Sequence, residues 1–296
     1  GHSESTQGAP QAPNQRRGRM LWHVVRAKKI LGRCQARDGI ETKSWQSSDV
    51  MMENGNLHGL YLMVDLAVLA LPFLLSFDKK VSFYKEWKYF FPINLVVGAF
   101  FIAWDVWFTN TGVWAFNPNY LLGPTLFGLP IEECLFFFCI PYASVFTYFA
   151  LRAYVKRNPL QSADSTLNIV GIIICFLLVW NFSNRWYIAI TSFLTLFGLL
   201  WTLKHYKPWS ADLWFAFCVL LFPFILSNGI LTGLDFTAYP LLHADASIVH
   251  DQIVWYHPGH NTGWRIFSMP ADDLVYGFLL IGMHVAGIEA MKARAV

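Results

Sequence analysis

Long uninterrupted apolar blocks separated by short polar segments dominate the chain from residue 58 onward. Each block has about the length that an α-helix needs to cross the hydrocarbon core of a bilayer, roughly 20 residues. The pattern predicts seven membrane-spanning helices, over residues 58–77, 90–109, 129–150, 167–182, 186–203, 212–233 and 270–291. The expected fold class is therefore an all-α integral membrane protein.

Composition supports this class. Of the 296 residues, 55% are hydrophobic and only 14% charged, and the mean hydropathy is +0.39. A large soluble helical core would need surface charge that these blocks lack, since soluble domains carry roughly 25% charged residues. A net charge of +3 is too small to indicate a nucleic-acid partner. None of the five cysteines has C-x-x-C spacing, so they are interpreted as packing residues rather than a zinc site or disulfide framework.

Residues 1–55 differ in kind, because they are polar, partly basic and without an apolar block long enough for a signal peptide. We interpret them as a leader that is disordered or not native. Met51 and Met52, just before the first span, are a natural start. The leader is therefore predicted to be dispensable.

Lysine and arginine are unevenly distributed between the predicted loops. The odd-numbered connections and the C-terminus carry most of them, while the even-numbered ones carry Arg185 and Arg265. By the positive-inside rule, the odd-numbered loops and the C-terminus are cytoplasmic. The basic leader opposes this orientation only if it belongs to the native protein.

The same acid pair opens two of the predicted helices. The segment "LPIEECLFFFCIPY" places Glu132 and Glu133 after a proline, and "SMPADDLVYGFLLIG" places Asp272 and Asp273 likewise. With 14 prolines and 19 acidic residues in the chain, far fewer than one Pro-x-acid-acid match is expected by chance. The second and sixth spans also end near an acid, Asp105 or Asp235. These matches predict an internal repeat.

The repeat divides the chain into a first three-helix unit, residues 56–157, a linking helix, residues 158–184, and a second three-helix unit, residues 185–296. Three spans reverse the side of the membrane and the linking span reverses it again. The two repeats are therefore predicted to be parallel, with both acid pairs at the same membrane face.

Adjacent buried carboxyls share protons, since neighbouring negative charges in a low dielectric are costly. One of them can then act as a general acid and the other as a base. Aromatic faces stabilise cations without competing for the proton. Acids in an aromatic lining suit the protonation of an alkene, and we expect the substrate to contact Trp104, Trp107, Trp114, Phe116, Trp255 and Trp264 together with Asp105 and Asp235.

Structural explanations also exist. A proline at the first helical position followed by acids suits the positive end of a helix dipole. Tryptophan and tyrosine form interfacial belts in most membrane proteins. His257 and His260 are typical of a solvated interfacial pair, and His284 is either a partner of the acids or a packed polar residue.

The segments "PIEE", "FNPNYLLG", "FFFCIPYASVFTY" and "PADDLVYGFLL" resemble the membrane-integral, non-flavin lycopene cyclases over residues 58–291. This family occurs as two small subunits or as fused two-repeat forms. The resemblance implies that the linear ends of lycopene become rings, as in β-carotene, by alkene protonation, ring closure and loss of a proton. It implies no flavin and no metal, and a multi-pass position in a bacterial inner membrane. Lycopene or a related carotenoid and the lipid bilayer are the expected partners, with contacts to other carotenoid enzymes.

The family's catalytic acids carry over to Glu132, Glu133, Asp272 and Asp273. The second motif departs from the family pattern, because Asp272 replaces Glu and Ala271 replaces a larger aliphatic residue. Since Asp is one methylene shorter, the expected proton donor is Glu132, with Glu133 sharing its proton.

Two other classes stay open on the residues alone. A membrane prenyltransferase would use aspartate-rich motifs to hold magnesium and a diphosphate, but only Arg265 supplies a nearby positive charge. A proton-coupled transporter or carotenoid-binding protein would also combine intramembrane acids with a repeat. A retinal protein is excluded within the spans, because none has an interior lysine for a Schiff base.

Overall fold

The computed structural model describes residues 57–205 and 207–295, and these contain seven α-helices. Six are long and apolar enough to cross a membrane, and α1 is a shorter apolar helix. The predicted all-α membrane fold is confirmed. The leader, with Met51 and Met52, lies outside the described residues. The helices are α1 (Leu60–Leu75), α2 (Trp87–Thr111), α3 (Ile131–Tyr154), α4 (Asp164–Asn181), α5 (Trp186–His205), α6 (Ser210–Thr232) and α7 (Asp272–Arg294).

Prolines interrupt four of these helices without ending them, at positions 72, 92, 141 and 223. Each proline lacks an N–H and leaves the carbonyl one turn earlier without its helical donor. In α3 this carbonyl belongs to Phe137, and the Asn94 side chain of α2 donates a hydrogen bond to it at 2.8 Å. A polar residue in an apolar span thus replaces the bond that Pro141 removes.

The loops before α3 and α7 contain short strands that the sequence analysis did not predict. They form three antiparallel pairs, β1 with β4, β2 with β3, and β5 with β6. The strands are β1 (Trp114–Phe116), β2 (Thr125–Leu126), β3 (Leu129–Pro130), β4 (Val254–Tyr256), β5 (Arg265–Ile266) and β6 (Met269–Pro270).

The two hairpins share an uncommon backbone conformation. Phe127 turns the first with φ 52° and Phe267 turns the second with φ 54°, values that bulky residues rarely adopt. Pro130 and Pro270 close the hairpins instead of starting the helices. The first helical residues are Ile131 in α3 and Asp272 in α7. Both prolines therefore lie before their helices, whereas the sequence suggested that they occupy the first helical position.

Strands β1 and β4 join the two loops. Trp114 pairs with Tyr256 and Phe116 with Val254. A backbone bond of 2.8 Å lies just beyond each end of this pairing, from His257 to the carbonyl of Val113 and from Asn117 to that of Ile253. The two bonds are equivalent in position, counted from the acid pair that follows each loop. The loops thus lie side by side, at the same end of α3 and α7.

The helices of the two halves interleave. Helix α2 packs against α7, and α6 packs against α3. Aromatic residues fill the largest buried cluster, around Phe101, Trp104 and Phe137. At the opposite end of the bundle, Arg152 of α3 pairs with Asp212 of α6 at 3.3 Å and with Glu289 of α7 at 2.5 Å. This packing brings the N-terminal ends of α3 and α7, and their acid pairs, to one site.

Candidate active site

The first acid of each pair binds the loop in front of its helix. One carboxylate oxygen of Glu132 accepts a bond from the backbone N–H of Leu122 at 2.5 Å, and the other oxygen has no partner. Asp272 accepts two bonds from Thr262, from the backbone N–H at 2.8 Å and from the hydroxyl at 2.7 Å. Both acids are buried. Each therefore holds the preceding loop against the start of its helix through these hydrogen bonds.

The second acid of the first pair, Glu133, lies among other carboxyl groups. It accepts a bond from the Tyr61 hydroxyl at 2.5 Å, and its carboxyl is hydrogen-bonded to that of Asp105. Two carboxyls can form such a bond only when one of them carries a proton. A further acid, Asp65 of α1, is fully buried near Glu133, and neither of its oxygens has a partner.

The second acid of the other pair, Asp273, is surrounded by donors. It accepts bonds from the Tyr187 hydroxyl at 2.5 Å, the Asn228 amide at 2.6 Å and the Tyr256 hydroxyl at 3.2 Å. Arg265 of β5 lies nearby and is 4% exposed. Burial lowers the pKa of Arg265, while the negative charge of Asp273 opposes that shift. These donors and the positive charge favour the carboxylate form of Asp273, whereas its burial opposes that form.

Glu133 and Asp273, the second acids of the two pairs, lie within electrostatic range of each other although they belong to different helices. Tyr256 of β4 lies near both of them and near Asp105. Burial, followed by the charges of Asp273 and Glu133, raises the pKa of Tyr256 well above its usual range. Its hydroxyl therefore keeps its proton and remains a hydrogen-bond donor between the two acids.

Aromatic rings enclose this region. Tyr276 of α7 contacts Trp104 and Trp114 with ring centroids 5.7 and 6.3 Å apart, and Trp114 contacts Tyr187 at 5.3 Å. The indole N–H groups of both tryptophans are buried and have no partner. Tyr276 is also within electrostatic reach of Asp105, Glu133 and Asp273. Such a wall can stabilise a cation through its ring faces.

The predicted site residues fall into two groups. Trp104, Trp114, the half-buried Phe116 and Asp105 lie with the four motif acids. The remaining predicted contacts lie at the surface. They are Trp107 at 45% exposure, Trp255 at 36%, Trp264 at 51%, and Asp235, which is exposed at the start of a 3₁₀ turn.

Several residues at the site were not singled out as site residues from the sequence, among them Tyr61, Asp65, Tyr187, Asn228 and Tyr276. Aligning the two repeats by their first helices would have identified Tyr61 and Tyr187. Tyr61 and Tyr187 are each the second residue of the first helix of a repeat. Asp65 had its own signal, since an acid inside an apolar span is costly and usually functional.

The three histidines named from the sequence have partners outside the acid pairs. His284 is fully buried, bonds through Nδ1 to the carbonyl of Leu280 at 2.8 Å and stacks on Phe90. The rings of His257 and His260 are 5.0 Å apart in the loop before β5. The carbonyl of His260 accepts hydrogen bonds from the backbone N–H groups of Tyr187 and Ile188. This loop is therefore bound to the start of α5.

Seven apolar helices around a buried cluster of carboxyls and aromatic rings define a multi-pass membrane protein with an internal acid site. The model of the lycopene cyclase family matches residues 58–151 and 184–291, more than half of the chain. The chain belongs to the lycopene cyclase family. The match falls into two segments, each of which contains one acid pair. No solved structure matches the chain.

Curated relatives are fungal proteins described as bifunctional lycopene cyclase/phytoene synthases. The relative from Colletotrichum graminicola is 35% identical over 66 residues, 22% of this chain and 11% of the relative. Those from Phaeosphaeria nodorum and Neurospora crassa are each 30% identical, over 95 and 117 residues, 32% and 36% of this chain, and 15% and 19% of the relative. The aligned part is thus less than a fifth of each of these relatives.

Proposed function

We propose that the protein is a lycopene cyclase that converts the linear ends of lycopene into rings by acid catalysis, with β-carotene as product. The observation that carries this proposal is that Glu133 and Asp273, from helices of different repeats, are both buried and both lie near Tyr256 in an aromatic surrounding. Membership of the lycopene cyclase family supports the same chemistry.

The reaction needs no net change of atoms or electrons. The O–H bond of a carboxylic acid breaks, and its proton forms a C–H bond at the terminal double bond, leaving a tertiary carbocation. The π electrons of a second double bond attack this cation and close the ring. Loss of a proton from a neighbouring carbon then forms the ring double bond, and the carboxylate regains a proton.

Because the reaction is redox-neutral, its stoichiometry requires no flavin or nicotinamide, and we propose that it also proceeds without a metal. Membranes or detergent extracts without these additions are expected to form rings. Strict dependence on reduced flavin would contradict this part of the proposal.

For the proton donor, the geometry supports Glu133 better than Glu132. One oxygen of Glu132 is bound to the backbone of Leu122, in the same way that Asp272 is bound to Thr262. Glu133 accepts a hydrogen bond from the Tyr61 hydroxyl and shares another with the carboxyl of Asp105. Glu132 and Asp272 then shape the loops that cover the site, and Glu133 and Asp273 face the reacting end.

The protein is a multi-pass membrane protein, and we propose that its C-terminus is cytoplasmic. The basic residues of the odd-numbered loops support this orientation. It places both acid pairs near the outer leaflet. A bacterial inner membrane remains our proposal, although the curated relatives are fungal. Contacts with other carotenoid enzymes are likewise proposed, since a carotenoid dissolved in the bilayer must pass from one enzyme to the next.

The direct test is pigment analysis after expression in a bacterium that accumulates lycopene. We expect ring-bearing carotenoids to replace lycopene. Unchanged lycopene, with the protein abundant in the membrane, would contradict the proposal and favour a prenyltransferase or a transporter. Reporter fusions at the C-terminus test the orientation separately.

A further inference from the structure

We propose that the two repeats divide the chemistry, so that the first repeat stores the proton and the second keeps a fixed negative charge. Asp105 is, on this proposal, the proton-sharing partner of Glu133, and Asp273 is the anion that stabilises the carbocation. The assignment of these roles to the reaction rests on the proposed function. The charge difference between the two sites does not depend on it.

The first observation is a contrast between α2 and α6, the second helices of the two repeats. Each gives one side chain to the second acid of a pair, Asp105 to Glu133 and Asn228 to Asp273. An amide donates its own hydrogen, so Asp273 can accept that bond without carrying a proton, as an anion. A carboxyl partner can donate only if the pair retains a proton. The same kind of contact therefore requires a proton in the first site and permits an unprotonated, charged acid in the second.

The loops differ in the same direction. Counted along the chain from each acid pair, Tyr256 occupies the position that Phe116 occupies in the first repeat, and its hydroxyl donates to Asp273. By the same count, the buried Arg265 corresponds to Thr125, which is exposed. The second site thus gains a hydroxyl donor and a positive charge that the first site lacks.

Two further pairs of positions follow the pattern. Thr262 gives Asp272 both a backbone and a hydroxyl donor, whereas the corresponding Leu122 gives Glu132 only its backbone N–H. Asp65 is the sixth residue of α1, and Thr191 is the sixth residue of α5. The first repeat thus has a carboxyl where the second has a hydroxyl, and both side chains are fully buried.

The first site accordingly collects four carboxyls, and none of them forms an ion pair with any residue in 57–205 or 207–295. Full ionisation of such a cluster inside a membrane protein would cost several kcal/mol per uncompensated charge. Protons must therefore remain in it. The titratable groups around Glu133 are Tyr61 and Asp65 of α1, Asp105 of α2, Glu132 and Cys134 of α3, Tyr256 of β4, and Asp273 and Tyr276 of α7.

In the proposed step, the proton shared by Glu133 and Asp105 moves to the terminal alkene carbon and leaves one negative charge on the pair. The Tyr61 hydroxyl stabilises that charge through its bond to Glu133. Asp273, already ionised, faces the cation from the opposite repeat while the ring closes. The pair then takes back the proton released by the ring, and the site is ready for the next end.

Infrared difference spectroscopy of the purified full chain in detergent tests the shared proton directly. The carbonyl stretch of a protonated carboxyl, identified by its shift in deuterated water, is expected in the unmodified protein. Asp105→Asn and Glu133→Gln should each remove the same band, because the proton belongs to the pair. Asp273→Asn should leave that band in place. If the band survives in Asp105→Asn, the proposal is overturned.

Ring formation per unit of membrane-inserted protein gives the second readout. Asp105→Asn is expected to lose about a hundredfold in rate, whereas Asp105→Glu, which keeps a carboxyl, should retain part of it and the infrared band. The control is Asp251→Asn, an exposed loop position with φ 52°, which Asn tolerates. Undiminished activity of Asp105→Asn would overturn the role of Asp105. A protein that shows the band but never cyclises lycopene would support the shared proton and overturn the proposed function instead.

Discussion

The hydroxyl of Tyr61 lies 2.5 Å from a carboxylate oxygen of Glu133, and this contact has a counterpart in the second repeat, where Tyr187 lies 2.5 Å from Asp273. Each tyrosine is the second residue of the first helix of its repeat. The repeats therefore share one hydroxyl–carboxyl bond, and they differ in what else surrounds the acid. Tyr61 is one of two hydrogen-bonding side chains at Glu133, whereas Tyr187 is one of three at Asp273.

We expect Tyr61→Phe to impair cyclisation more than Tyr187→Phe. A hydrogen bond to a charged group contributes roughly 1.5–3 kcal/mol, so losing the hydroxyl that stabilises ionised Glu133 should slow ring formation about ten- to a hundredfold. Asp273 keeps the donors Asn228 and Tyr256 when Tyr187 is replaced, so that loss should be smaller. The measurement is ring formation normalised to membrane-inserted protein.

Tyr154→Phe serves as the control, because this tyrosine is exposed and bonds to Asp78 outside the site. Equal losses in Tyr61→Phe and Tyr187→Phe would contradict the asymmetry between the repeats.

The two glutamates of the first pair should respond differently to removal of the acid. Glu133→Gln is expected to lower the rate by roughly 10²–10⁴, the usual contribution of a general acid. Glu132→Gln keeps a carbonyl oxygen that can accept the bond from Leu122, so it should retain more activity. Glu132→Asp, which retracts the anchor by one methylene, should loosen the loop and cost activity although the acid is kept. A larger loss in Glu132→Gln than in Glu133→Gln would return the donor role to Glu132.

The sequence predicts the helices well, and it makes the acid pairs conspicuous, for one physical reason. A membrane span must be apolar over its whole length, so its hydropathy identifies it without any partner. The acid pairs stand out against the same background, because carboxyls near hydrocarbon are costly. The predicted span 186–203 and helix α5 (Trp186–His205), for example, begin at the same residue.

The partners of the acids were harder to predict, because they come from other helices. Asn228 contacts Asp273 only because α6 and α7 pack together, and nothing in the spacing of α6 identifies this residue. Asp235 was chosen as the counterpart of Asp105 from its place near the end of a span, yet it lies exposed beyond α6. The β1–β4 pairing also joins loops far apart in the chain, which a local pattern does not encode.

His260 should make the stability of the protein depend on pH on the acidic side. Burial, with a smaller contribution from His257, lowers its pKa from the usual 6.5. The unfolded chain therefore binds a proton more readily than the folded one just below pH 6.5. This contribution to stability is fully present above that pH and is lost as the pH falls through the lowered value. His260→Gln should weaken the decrease in melting temperature between about pH 7.5 and 5.5, and an unchanged decrease would contradict the assignment.

Asn94 and Pro141 should be coupled in stability. The Asn94 amide donates a hydrogen bond to the carbonyl of Phe137, which has no helical donor because Pro141 lacks an N–H. Asn94→Leu, close in volume, should leave that carbonyl without a partner inside the bundle and destabilise the protein by about 1–3 kcal/mol. In Pro141→Ala, the new N–H can reach the Phe137 carbonyl, so adding Asn94→Leu to that variant should cost less than half as much. The four melting temperatures of this double-mutant cycle, measured in detergent, give the coupling energy. If Asn94→Leu costs the same in both backgrounds, the asparagine does not replace the bond that the proline removes.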